Sequence, residues 1–189
     1  MNINASYNFL EPHVLYEVGI RSLCLTLNSG AVFEFPETLS NGRANYILFE
    51  ELVRKLTGLK KTANSDHTGP NNTKFEQKAF FDLELYPSDE YDYFQTSASN
   101  TFPANNYGPT IKRFLEAGDY ESALSLCKQT GYNHNDFYIY TNSRKYNTSI
   151  PFKFFVVPTK VVLSHLSEDD PRLVSRRLLL SDIKSKLVI

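Results

Sequence analysis

The 189-residue chain has no tryptophan, one methionine, two cysteines and no surplus of either charge. Each shortage closes off a class of protein. Cys24 and Cys127 both sit inside apolar strings. Two such residues cannot supply a disulfide framework or a thiolate zinc site, and they read as buried thiols of a reducing cytoplasm. His13, His67, His134 and His165 form no metalloprotease helix pattern, and there is neither a Gly-x-Ser-x-Gly elbow nor a phosphate loop. No apolar run approaches the roughly 20 residues of a membrane span. The first residues lack the basic-then-apolar order of a secretory leader. A cytoplasmic protein with no membrane partner is therefore expected. Lysine and arginine number 20 against 21 acids, a net charge of −1. That excludes a uniformly basic nucleic-acid coat, but not a basic cleft on a neutral body.

What the chain does have is aromatic mass, with 14 phenylalanines and 12 tyrosines in a composition that is 41% hydrophobic. At this length that suffices for the core of one domain. The punctuation predicts an α/β protein with a central mixed sheet flanked by helices. A strand over 13–27, the turn Asn28-Ser29-Gly30 and a strand over 31–35 read as an N-terminal hairpin spanning 13–36. A helix over 43–57 carries the stripe Ala44, Ile47, Leu48, Leu52, Val53 and Leu56, and stops at Gly58. A helical pair over 111–117 and 120–129 turns at Gly118-Asp119, with Thr110 as the cap of its first member. Strands over 136–141 and 152–157 are short, aromatic and β-branched, as core strands are. The core thus spans 43–157. A C-terminal basic helical segment over 158–189 holds a short helix after Pro158 and a final helix over 182–187.

The chemistry gathers between residues 66 and 78. Asp66 is followed by the turn Gly69-Pro70-Asn71-Asn72 and then by an extended run from Phe75 to about Tyr86. Side chains alternate across a strand, so Phe75, Gln77 and Ala79 share one face and Glu76 and Lys78 the other. A hairpin-like turn brings Asp66 beside Glu76 and Lys78. Two carboxylates with a backbone oxygen and water form the hard oxygen site that Mg²⁺ prefers, and a neighbouring lysine can orient a water and offset phosphate charge.

This Asp66…Glu76-x-Lys78 arrangement resembles the PD-(D/E)XK nuclease superfamily, which includes most type II restriction endonucleases. Its signature is an Asp on one strand and (Asp/Glu)-x-Lys on the next, behind a helix that can add an acid. The match covers about fifteen residues, and Ser65 stands where the family often has proline. The resemblance implies a restriction-endonuclease-like fold and Mg²⁺-dependent cleavage of double-stranded DNA. Asp66 and Glu76 would bind the metal with the Gln77 carbonyl, Lys78 would position the attacking water, and Glu50 or Glu51 is the candidate accessory acid. A homodimer is implied, so that two sites cut two strands. A second string, Asp182-Ile183-Lys184 behind Asp170, has only five residues after it, where the family fold calls for a further helix and strands.

Candidate DNA contacts lie in polar loops. Gln95, Asn100, Asn105 and Asn106 fall in a long amide-rich stretch suited to base edges. Arg144 and Lys145, beside Tyr146, suit phosphate. Arg172, Arg176 and Arg177 belong to the one locally basic region. The competing expectation is a non-catalytic interaction or nucleic-acid-binding domain, favoured by the near-neutral charge and the many tyrosines. In that case Glu76 and Lys78 are an ordinary strand-surface ion pair of little energetic weight.

Overall fold

The segment Phe152-Lys153-Phe154-Phe155-Val156-Val157 is apolar on both faces apart from one lysine, the pattern of a strand covered on both sides. In the computed structural model it forms β8 (Phe152–Pro158), with all residues from Phe152 to Val157 buried. The structure describes residues 10–20, 24–26, 29–30, 32–34, 42–62, 65–82, 93–96, 107–126, 135–146, 148–167, 173–175 and 184–188.

Around β8 the elements run in chain order as β1 (Val14–Val18), β2 (Cys24–Thr26), β3 (Val32–Glu34), α1 (Gly42–Thr57), β4 (His67–Thr68), β5 (Lys74–Ala79), β6 (Tyr93–Gln95), α2 (Tyr107–Glu116), α3 (Tyr120–Leu126), β7 (Phe137–Thr141), β8, α4 (Thr159–Ser164), β9 (Leu173–Ser175) and β10 (Lys184–Val188). Six strands make one mixed sheet in the order β10-β1-β8-β7-β5-β4. β5 runs parallel to β7, β10 runs parallel to β1, and the other neighbours are antiparallel. The expected α/β mixed sheet with flanking helices is thus present.

Each face of the sheet buries an aromatic core. On one face Tyr16, Ile139, Phe152, Phe154 and Val156 pack with Phe49 and Val53 of α1. Phe49 stacks on Phe152 with ring centroids 5.1 Å apart. On the other face Tyr138, Tyr140, Phe155 and Val157 pack with Phe80, Phe94, Ala123, Val162 and Val174. The Phe94 and Tyr140 rings there lie 5.1 Å apart. Offset ring pairs of this kind fill a core without tryptophan.

Several sequence expectations need correction. The strand expected over 13–27 is two elements: β1 is an interior strand of the main sheet, and β2 pairs with β3 in a separate two-stranded sheet. A continuous apolar pattern does not record that the chain leaves one sheet for another. In α1 the stripe is rotated: Ile47 is 68% exposed and Phe49 is fully buried. The Gly58 stop holds, with φ of 74° and its N–H on the Arg54 carbonyl. Thr110 lies inside α2, which begins at Tyr107. β5 ends at Ala79, and residues 83–86 of the expected run lie outside the described residues. The final helix expected over 182–187 is instead strand β10, paired with β1 at the sheet edge. Six residues are too few for periodicity to separate helix from strand, and lysines such as Lys184 and Lys186 are usual on edge strands.

The lysine of β8 explains a buried polar network. Lys153 is 3% exposed, and its ammonium lies 3.6 Å from Asp82 and 3.9 Å from Glu17 of β1. Asn142 donates to Asp82 at 2.9 Å and to the Pro151 carbonyl at 3.0 Å, and its Oδ1 accepts from the Lys153 N–H at 2.7 Å. Asp82 also helps burial to hold the Tyr146 hydroxyl well above its ordinary pKa. A buried charge left without its partner is strongly destabilising. Lys153→Ala should therefore lower the unfolding free energy by about 3–5 kcal/mol in urea titration. A loss under about 1 kcal/mol would show that the network is not a stabilising unit.

Candidate functional site

The turn between β4 and β5 is a 3-10 turn, Pro70–Asn72, with Asn71 and Asn72 in the left-handed region at φ of 55° and 58°. Asparagine tolerates that conformation better than most residues, so the Gly-Pro-Asn-Asn string turns the chain within five residues. β4 is only two residues long and pairs His67 with Phe75 and Thr68 with Lys74. The next step of that register sets Asp66 opposite Glu76. Asp66 no longer continues the ladder with its backbone. Its carboxylate Oδ2 instead accepts the Gln77 N–H at 2.7 Å. The N–H and C=O of one strand residue point to the same edge. The Gln77 carbonyl therefore faces the edge that Asp66 occupies.

Glu76 and Lys78 share a face as expected, and the Lys78 ammonium is ion-paired with Glu76 Oε1. Both side chains are mostly buried, 21% and 15% exposed. The second oxygen, Oε2, takes a long hydrogen bond of 3.5 Å from the Asn135 side-chain amide. Asn135 lies two residues before β7, and Asp136, immediately before it, clamps the two parallel strands at this end. Its carboxylate accepts the Lys74 N–H at 2.8 Å, and its own N–H donates to the Lys74 carbonyl at 2.9 Å.

On the opposite face, α1 supplies a polar cluster. Tyr46 hydrogen-bonds to both Glu50 and Asp66. Burial first, then the two carboxylates, drive its hydroxyl pKa far up. Glu50 is 8% exposed. Burial and the neighbouring Asp66 charge raise its carboxyl pKa, against the hydrogen bond from Tyr46 and the pull of Arg54. Arg54 reaches Glu50 at 3.5 Å, Glu51 at 2.9 Å and the Asp66 carbonyl at 3.4 Å. Of the two candidate helix acids, Glu50 is therefore the one set against Asp66. Glu51 is exposed and paired with Arg54 and Lys55.

His67, adjacent to Asp66, is fully buried, and its Nε2 donates to Gln77 Oε1 at 2.7 Å. Gln77 thus binds Asp66 through its backbone and His67 through its side chain. Sequence reasoning missed Tyr46, Arg54 and Asn135. The Gln77 face was legible as mostly apolar, and a glutamine on such a face signals a buried partner.

The other candidates fare differently. Gln95 ends strand β6, paired with β9, rather than lying in a loop, and it is exposed. Arg144 and Lys145 are exposed and lie over the Phe81 ring at 4.8 and 5.7 Å. Tyr146 is not beside them as a surface contact, because it is buried with its hydroxyl on the Ile150 carbonyl. Asn100, Asn105, Asn106, Arg172, Arg176 and Arg177 lie outside the described residues. Among the described residues no three of His, Cys, Asp and Glu cluster so as to hold a metal by themselves. No described helix is long and apolar enough to cross a membrane. Comparison of the chain with family models, curated proteins and solved structures gives no match.

Burial lowers the His67 pKa below its ordinary value of 6.5, against the hydrogen bond to Gln77. A depressed imidazole pKa means that the unfolded chain takes up the proton first. Stability is then retained above pH 6.5 and lost as the pH falls from there through the folded value. Ring-proton NMR titration should give His67 a midpoint below 6.5, and a midpoint above it would contradict the buried neutral ring.

Proposed function

We propose that the chain is a Mg²⁺-dependent endonuclease of double-stranded DNA with a restriction-endonuclease-like fold, acting through Asp66, Glu76 and Lys78. The observation that carries the reading is the bond from the Gln77 N–H to Asp66. It ties an acid at the end of one strand to the middle of a Glu-x-Lys string on the next. Three further features support it. Helix α1 precedes these strands and sets Glu50 against Asp66. Glu76 and Lys78 are paired on one face. Helices α2 and α3 and strands β7 and β8 follow, as the family fold requires.

The donor chemistry suits the metal. Mg²⁺ keeps several waters and is usually held by one or two carboxylates, so Asp66, Glu76 and the Gln77 carbonyl make a sufficient set without a third acid. When bound, the metal would neutralise phosphate charge and make a water more acidic. The residues of the chain do the rest. The Gln77 N–H holds the Asp66 carboxylate at the strand edge, and Asn135 restrains Glu76 from the far side. Lys78, oriented by Glu76, donates to the attacking water or to a phosphate oxygen. The water oxygen bonds to phosphorus and releases one proton to solvent, the bond from phosphorus to the 3′ oxygen breaks, and that oxygen takes up a proton from solvent. The products carry a 5′ phosphate and a 3′ hydroxyl. Arg144 and Lys145, exposed and steadied on Phe81, would meet the DNA backbone. Two sites for two strands imply a homodimer.

Purified protein should convert supercoiled plasmid to discrete linear fragments with Mg²⁺ and not with EDTA. Lys78→Ala and Glu76→Ala should each slow cleavage by at least about a hundredfold, the scale of a lost proton-transfer or charge-stabilising group. If the wild type and both folded variants leave several unmodified DNAs intact, the chain is a non-catalytic interaction domain.

A further inference from the structure

An open cleft of about 560 Å³ lies where β5 and β7 begin and β8 ends, and Asn135 is common to this cleft and to Glu76. We propose that the cleft binds one nucleoside monophosphate unit, the nucleotide next to the scissile phosphate. This assignment rests on the nuclease reading above. Four observations lead to it. The volume falls within the roughly 300–1,000 Å³ of small-molecule sites. The lining combines apolar surface from Phe137, Pro158 and Leu163 with the amides Asn71 and Asn135, which suits a flat heterocycle with polar edges. The cation of the lining is Lys160, exposed on the first turn of α4, which suits a phosphate. The lining acid, Asp136, has its Oδ2 turned to the Lys74 amide, where it clamps β5 to β7.

Asn135 gives the cleft its link to the chemistry. The residue is 4% exposed, and its amide donates to Glu76 while its carbonyl Oδ1 is buried without a protein hydrogen-bond partner. An unsatisfied buried acceptor is costly, and a base amino group or sugar hydroxyl would relieve it once the side chain turns toward the cleft. The backbone around Asn135 is fixed for this: its carbonyl accepts the Thr159 hydroxyl at 2.8 Å, and the Asp136 carbonyl accepts the Thr159 N–H at 2.9 Å. Filling the cleft therefore acts on the residue that restrains the Glu76 carboxylate.

Calorimetric titration of the full chain with the four deoxynucleoside 5′-monophosphates, and separately with a short single-stranded oligonucleotide, tests the assignment. The proposal expects saturable binding of both probes. Lys160→Glu, an exposed change, should weaken the monophosphates at least about tenfold, the loss of one charge-assisted hydrogen bond. Leu163→Trp, checked for folding by circular dichroism, should fill the cleft and abolish binding. No saturable binding, or unchanged binding in folded Lys160→Glu and Leu163→Trp, overturns it. A protein that cleaves plasmid but binds no monophosphate overturns the cleft assignment alone. Binding of monophosphates through Lys160 without cleavage of any DNA overturns the nuclease reading and leaves the cleft as a site for free nucleotides.

Discussion

The candidate site depends on where one β-ladder stops. β4 contributes two residues, and beyond them no further strand lies beside the edge of β5 among the described residues. A strand edge inside a packed protein must still satisfy its N–H groups. Here Asp66 does so with a side chain, taking the Gln77 N–H at 2.7 Å. A longer β4 would make the same bond with backbone atoms and leave no carboxylate there. The short strand therefore places an acid at the sheet edge, with the Gln77 carbonyl facing the same way. Glu76 and Lys78, on either side of Gln77, present their charges on the adjoining face.

The two faces of β5 then hold different kinds of polar group. On the α1 side, His67, Gln77, Arg54, Tyr46 and Glu50 form a network in which burial shifts three of the titratable groups from their ordinary values. These residues fix Asp66 and the helix against the strand. On the other side, Glu76 and Lys78 are ion-paired and partly accessible, and buried Asn135 reaches Glu76 only through a long bond of 3.5 Å. The Lys153–Asp82–Asn142 network, farther along the sheet, is tighter and almost sealed from solvent. Buried, well-bonded charge of that kind holds strands together.

Much of this was legible in the sequence, for identifiable reasons. β7 and β8 were readable because they are short aromatic and β-branched runs, and α1 because of its periodicity and its Gly58 stop. The partnership of Glu76 and Lys78 follows from the two-residue repeat of any strand. The approach of Asp66 to Gln77, the residue between them, follows from the Gly69-Pro70-Asn71-Asn72 turn. What could not be read was long-range pairing. Nothing local marks β1 as a central strand, or Val14–Val18 as the neighbour of a strand some 170 residues later. Strands β6 and β9 are three residues each, and they are strands only because they find each other. The helix expected at the C-terminal end failed for the same reason, since the partner of Lys184–Val188 lies near the other end of the chain. At the site, Asn135 was invisible because parallel pairing of β5 with β7 brings it to Glu76 from 59 positions away.

Paramagnetic line broadening by Mn²⁺ tests most directly the proposed cation site of Asp66, Gln77 and Glu76. In amide NMR spectra at substoichiometric Mn²⁺, the signals of Asp66, His67, Gln77 and Lys78 should vanish first. They should persist in a folded variant carrying Asp66→Asn and Glu76→Gln. Broadening centred on another part of the chain, or identical broadening in the double variant, would contradict the account.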